Sequence, residues 1–103
     1  MESSYNVECS HRSLDRTDLK IGFVGEADND QRVRDAVASI TALELKGGKL
    51  VSLDGPCSIP VAVALSHAVA HLYGAVAIKD PKLGKFVVSI SHRPDLYVGM
   101  LID

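Results

Sequence analysis

Two histidines, His67 and His71, are four positions apart in an otherwise apolar stretch of the chain. On a helix this spacing places both imidazoles on one face, where they can transfer protons, bind a metal ion or contact a phosphate. A zinc peptidase would carry a glutamate directly after the first histidine as its general base, and this chain has Ala68 there. Peptidase chemistry is therefore disfavoured.

Asp80 opens the segment Asp80-Pro81-Lys82-Leu83-Gly84, which predicts a tight turn. Proline fixes one backbone angle there, and glycine tolerates a positive φ. An aspartate before proline is a common turn opener, and this structural interpretation competes with two functional ones. Asp80 could hold a divalent cation or accept a proton, while Lys82 could contact a phosphate.

Two further segments carry polar groups at the ends of predicted elements. Gly55-Pro56-Cys57-Ser58 joins a strand to a helix, and the free N–H groups of a helix N-terminus form an anion site in which Ser58 can cap or bind. A plain strand-to-helix turn is the commoner explanation of that segment. Ser91-His92-Arg93 follows a later strand and offers another imidazole and a guanidinium, or is a solvated loop.

Hydrophobic periodicity predicts the elements that must position these groups. One helix starts at Asp28 and is closed by Gly47-Gly48, and a second runs from about Ser58 to Tyr73, where Gly74 ends it. Strands are expected near residues 5–9, 19–24, 49–53, 75–79, 85–91 and 97–102. This order predicts a single domain, residues 1–103, of the α+β class: a ferredoxin-like sandwich with one mainly antiparallel sheet and two helices on one face.

The composition limits the kind of ligand. Hydrophobic residues make up 47% of the 103 residues, enough for one core, and the formal net charge is only −2. A protein that follows long nucleic acid usually has a basic bias. We therefore expect no DNA partner, and any nucleotide ligand should be small and held at a local site.

Cysteine usage and the absence of a secretory signal at Met1 predict a cytoplasmic protein. Cys9 and Cys57 lie far apart and have no metal-type spacing, so they are expected to be free thiols. Residues 55–78 contain no charged side chain and are long enough to cross a bilayer. Because this run contains prolines, histidines and many alanines, a buried helix followed by a buried strand explains it better than a membrane span.

Five short segments of the C-terminal half occur together in a particular order and spacing: Gly55-Pro56, Ala70-His71-Leu72-Tyr73, Ala75-Val76-Ala77, Asp80-Pro81-Lys82-Leu83-Gly84, and the strand Val87-Val88 that leads to Ser91-His92. In these segments the chain resembles the small CRISPR-associated ring nucleases of type III systems. The resemblance covers roughly residues 49–103, and the N-terminal half matches only in pattern. It implies a ferredoxin-like fold and a homodimer.

Members of that family bind cyclic tetra-adenylate, the second messenger of type III systems, and cleave it with manganese. The resemblance implies that His71 and Asp80 are the principal catalytic residues and hold the Mn²⁺, with His92 in the same site. His67 matches no motif position of the family. Ligand contacts are expected from Gly55, Pro56, Ser58, Lys82 and Arg93.

The symmetry of the ligand predicts the assembly. A cyclic tetranucleotide has rotational symmetry, so a symmetric site across subunits can present the same groups to opposite phosphates. We therefore expect a homodimer, with the ligand at a subunit interface and able to bridge two dimers into a tetramer.

Two other functions use the same residues. A sensor or sponge would bind the ring without cutting it, and a manganese-dependent 3′ exoribonuclease would remove adenylates from linear RNA. The weak net charge argues mildly against long RNA. Metal-assisted hydrolysis and attack by the ribose 2′-OH remain alternative routes of cleavage.

Overall fold

A single six-stranded sheet organises residues 2–103, the part of the chain that the computed structural model describes. The elements, in chain order, are β1 (Tyr5–Arg12), β2 (Thr17–Phe23), α1 (Asn29–Ala42), β3 (Gly48–Asp54), α2 (Ile59–Ala70), β4 (Tyr73–Asp80), β5 (Lys85–Ser91) and β6 (Leu101–Ile102). The strands also lie side by side in chain order. Strands β2, β3 and β4 are parallel neighbours, and the other three pairings are antiparallel.

The predicted α+β class, with one mainly antiparallel sheet and two helices, is confirmed. The connectivity differs in one respect from the split βαβ pattern of ferredoxin-like sheets, in which another strand separates the two strands that a helix connects. Here α1 connects β2 to its direct neighbour β3, and α2 connects β3 to its direct neighbour β4. Each helix is therefore a crossover between adjacent parallel strands.

Both helices bury their apolar residues on the same face of the sheet. The cluster there includes Ala36 and Ile40 from α1 and Val61, Leu65 and Val69 from α2, packed on alternate residues of the central strands. The alternation of a strand sends the residues between them to the other face. A smaller cluster on that face contains Leu50, Ala75, Ala77, Phe86, Val88 and Leu96.

Two predicted boundaries are wrong in other elements: α1 ends at Ala42, well before Gly47-Gly48, and the last strand is only Leu101–Ile102.

The predicted end of α2 is also wrong: α2 ends at Ala70, and Tyr73 and Gly74 belong to β4. Gly74 does not end a helix but lies where other chain segments come close. A Cβ at this position would collide with the side chain of Arg93 and the carbonyl of Lys49. The glycine signal therefore marks a close approach inside a strand.

The uncharged run 55–78 forms α2 and the first residues of β4, as predicted. Within residues 2–103, neither helix has the length and apolar character that crossing a membrane requires.

Candidate functional site

An open groove of about 490 Å³ lies between α2 and the β4–β5 hairpin, on the helix-covered face of the sheet. Its walls and floor are mostly apolar, and three imidazoles lie along it. No Asp, Glu, Lys or Arg of residues 2–103 lines it. The lining residues are Ala62, Val63, Ser66, His67, Ala70, His71, Ile78, Ser89, Ile90 and His92.

His67 and His71 contact each other at this groove. Their Nε2 atoms are 3.3 Å apart, and the rings meet edge to face with centroids 4.9 Å apart. Both side chains are exposed. Because one Nε2 must accept the hydrogen bond that the other donates, at least one of the two rings presents a deprotonated Nε2. His67, for which the family motifs offered no role, is therefore the partner of His71, and the four-residue spacing was the signal for it.

His92 lies at the same end of the groove as His67 and His71. Its backbone N–H donates to the carbonyl of Gly74 at 2.8 Å, which places it beside the start of β4. His71 caps the C-terminus of α2, two positions before β4 begins. The structure thus brings together two of the three residues predicted to be catalytic.

Asp80, the third, lies at the other end of β4. The strand has eight residues, and at about 3.3 Å per residue it separates its two ends by roughly 23 Å. A second cavity, of about 390 Å³, lies at the Asp80 end and shares Ile78 and Ser89 with the groove. Asp80 and His71 therefore lie on the same face of the sheet but at opposite ends.

The carboxylate of Asp80 builds the turn that follows it. Its Oδ1 accepts the backbone N–H groups of Lys82, at 2.8 Å, and Leu83, at 3.1 Å. This confirms the turn-opening role that competed with a functional one. The second oxygen, Oδ2, has no hydrogen-bond partner among residues 2–103, and Lys82 is exposed beside it. One carboxylate oxygen and one ammonium group are thus presented at this end.

The Gly55–Ser58 loop lies at the Asp80 end as well. A cavity of about 330 Å³ is lined there by the end of β3, the loop, the end of β4 and the turn that follows it: Asp54, Gly55, Pro56, Lys79 and Pro81. Ser58 is the N-cap of α2, and its Oγ accepts the N–H of Val61 at 3.4 Å. Burial raises the pKa of the Cys57 thiol in this loop, which disfavours a thiolate nucleophile.

Tyr5 anchors this loop, and the sequence contained no signal for it. Its side chain is fully buried, and its hydroxyl donates to the carbonyl of Pro56 at 2.6 Å across 51 sequence positions. Burial raises the pKa of Tyr5 far above its usual range, so the hydroxyl keeps its proton and remains a donor.

Gly55 is required by the backbone of this loop. Its φ is 146°, and a Cβ there would overlap the carbonyl oxygen of Ile21. We expect Gly55→Ala to lower the free energy of unfolding by about 2 kcal/mol or more, which is roughly 10 °C in Tm for a domain of this size. Thermal unfolding followed by circular dichroism measures the change.

Gly22→Ala is the matched control for that substitution. Gly22 is the neighbour of Ile21 in β2, and a Cβ there meets no atom within 4 Å. This variant should keep its free energy of unfolding within about 0.5 kcal/mol of wild type. Equal Tm values for Gly55→Ala and wild type would contradict the geometry of the loop.

Arg93, predicted to bind ligand, has its guanidinium already engaged. Its Nε and Nη2 donate to the two carboxylate oxygens of Asp95, at 2.9 and 3.1 Å. Lys49 Nζ lies 3.3 Å from the same carboxylate. The hydrogen bond from Arg93 lowers the pKa of Asp95 to about 2, so the pair persists at neutral pH. Arg93 therefore has less capacity for a phosphate than its residue type suggested.

The manganese ligands implied by the family resemblance do not fit one ion within one chain. Asp80 and His71 are held apart by the length of β4. Among residues 2–103, no three His, Cys, Asp or Glu side chains form a group that could hold a metal ion.

No protein-family model matches the chain, and no curated protein sequence matches it significantly.

Proposed function

We propose that the protein is a ring nuclease that binds cyclic tetra-adenylate and cleaves it between two copies of the chain. The observation that supports this most strongly is the division of polar groups along one face of the sheet. His71 and His92 line a groove at one end, while Asp80, Lys82 and the Gly55–Ser58 loop lie at the other. Each end carries half of a phosphodiester-cleaving site.

The histidine end supplies the base-binding surface and the proton-transfer groups for cleavage by a ribose 2′-OH. The apolar groove suits an adenine base, and the imidazoles at its rim suit the adjacent phosphate. His71 Nε2, in the deprotonated form and turned from His67 toward the ribose, takes the proton of the 2′-OH as the 2′-oxygen attacks phosphorus. His92 gives a proton to the departing 5′-oxygen. One P–O bond forms and one breaks, and the product ends in a 2′,3′-cyclic phosphate.

The Asp80 end supplies charge to the same phosphate from a second copy. Groups that act on one phosphate must come within about 3 Å of its atoms, which the ends of one β4 strand cannot do together. Lys82 contacts the phosphate oxygens, and Asp80 stabilises the imidazolium that forms on His71.

A two-fold axis would bring the opposite ends together. When two copies pack through the same face about a two-fold axis, every contact occurs twice: a residue of the first copy contacts a given residue of the second, and the same pair of residues is in contact again with the copies exchanged. The histidine end of each copy then faces the Asp80 end of the other, with the ring between them. Such an arrangement has the same two-fold axis as the cyclic ligand. It is the arrangement expected in a homodimer, or in a pair of dimers that the ligand bridges.

The direct test is incubation of the purified protein with cyclic tetra-adenylate, with products separated by liquid chromatography. We expect linear oligoadenylates with a 2′,3′-cyclic phosphate end. An intact ring that co-elutes with the protein would indicate a sponge instead. Shortening of a linear RNA with 3′ adenylates, without ring cleavage, would indicate an exoribonuclease.

Parallel reactions with added manganese and with a chelator test the metal that the family resemblance implies. The ion would have to bind between copies, since Asp80 and His71 of one chain lie at opposite ends of β4. The proton transfers assigned to His71 and His92 need no metal.

A further inference from the structure

We infer that His67 and His71 form a two-imidazole site for a late first-row divalent cation, with zinc as the expected ion. The two Nε2 atoms are 3.3 Å apart. Two nitrogen ligands on a tetrahedral zinc, each at about 2.05 Å, are also about 3.3 Å apart. The pair already has the separation that one ion requires.

The donor set selects the ion. Neutral imidazole nitrogens suit zinc, nickel and copper, whereas manganese and calcium prefer carboxylate and carbonyl oxygens. Of the described residues 2–103, no carboxylate lines the groove that carries both rings. The nitrogen ligands of this site therefore favour different metal ions from those that the carboxylate oxygens of Asp80 would bind.

The helix holds the two rings in position for an ion. His67 lies in the last turn of α2 and His71 is its C-cap, with helical φ and ψ of −81° and −12°. Val69, between them, is fully buried and fixes this turn against the core. The negative end of the helix dipole favours a cation at this terminus. In the ion-free pair one Nε2–H donates to the other nitrogen, so binding an ion requires a tautomer change in one ring and rotation of the rings until both lone pairs point at the ion.

Exposure leaves the remaining coordination positions open. Both rings are exposed, so an ion can approach from solvent and keep water in the positions that the protein does not fill. His92 lines the same groove but does not complete a three-ligand group with the pair among residues 2–103. We expect one ion per chain, bound more weakly than in a three- or four-ligand zinc site. The site rests on the two imidazoles alone. An ion there occupies the His71 Nε2 that the proposed nuclease uses as a base, so bound zinc should inhibit ring cleavage, and zinc binding is measured without the ring.

The test is calorimetric titration of the metal-stripped full chain with zinc sulfate at neutral pH. Wild type should bind one zinc per chain. Loss of an outer-shell partner alone typically lowers metal affinity 10- to 100-fold, so His67→Gln and His71→Gln should each lower it by about tenfold or more. His11→Gln, which removes an exposed histidine on β1, is the matched control and should bind like wild type.

NMR of the imidazoles in the wild-type protein measures zinc binding without any substitution. Stoichiometric zinc should shift the ring Cε1–H resonances of His67 and His71 together and leave that of His11 in place. Zinc affinity unchanged in both His67→Gln and His71→Gln, or ring resonances of the pair that do not respond to zinc, would overturn the assignment.

Discussion

His71→Ala is expected to slow cleavage of cyclic tetra-adenylate by about 100-fold or more, the usual contribution of a general base. The imidazole is exposed, and its one hydrogen bond within residues 2–103 is to His67. Its removal leaves the buried residues of α2 in place, so the Tm should stay within a few degrees of wild type. Single-turnover cleavage with labelled ring measures the rate.

Two controls accompany this variant. His11→Ala removes an exposed histidine from β1, far along the chain from the groove, and should cleave at the wild-type rate. Binding of the ring by His71→Ala, measured by calorimetry, should persist, because proton transfer and ligand binding are separate roles. A His71→Ala protein that cleaves within twofold of wild type would remove His71 from the mechanism.

Much of the fold could be predicted because it depends on local pattern. Alternating apolar residues indicated the strands, and Ser58 with Pro60 indicated the start of α2, which the structure confirms. The predicted end of α2 is wrong because a glycine after an apolar run is typical of a helix stop, whereas Gly74 lies inside β4. Its real role depends on Arg93 and Lys49, which only the folded chain brings beside it.

The candidate site was harder to predict because residues that are close in the sequence are not close in the folded chain. His71 and Asp80 are nine positions apart, which suggests one site, yet an extended strand between them holds them at opposite ends of the sheet. The loop anchor Tyr5 comes from the other end of the chain and had no local signal. The sequence does not indicate that Asp95 pairs with the Arg93 guanidinium, because that pairing depends on the folded conformation of the segment.

Asp80→Asn is the variant that tests the contribution of the second copy. The amide oxygen of asparagine can still accept the backbone N–H groups of Lys82 and Leu83, so the turn should remain. The charge that would face His71 of another copy is lost. We expect Asp80→Asn and His71→Ala to be nearly inactive when each is assayed alone.

Mixing these two inactive variants tests the shared site most directly. If His71 of one copy acts with Asp80 of another, random pairing in an equal mixture gives a complete site in about a quarter of cases. Ring cleavage should therefore recover to roughly a quarter of the wild-type rate per site. His71→Ala mixed with His92→Ala is the matched control: those residues line the same groove of one chain, so no activity should return. A His71→Ala and Asp80→Asn mixture no more active than either variant alone would contradict a site built between copies.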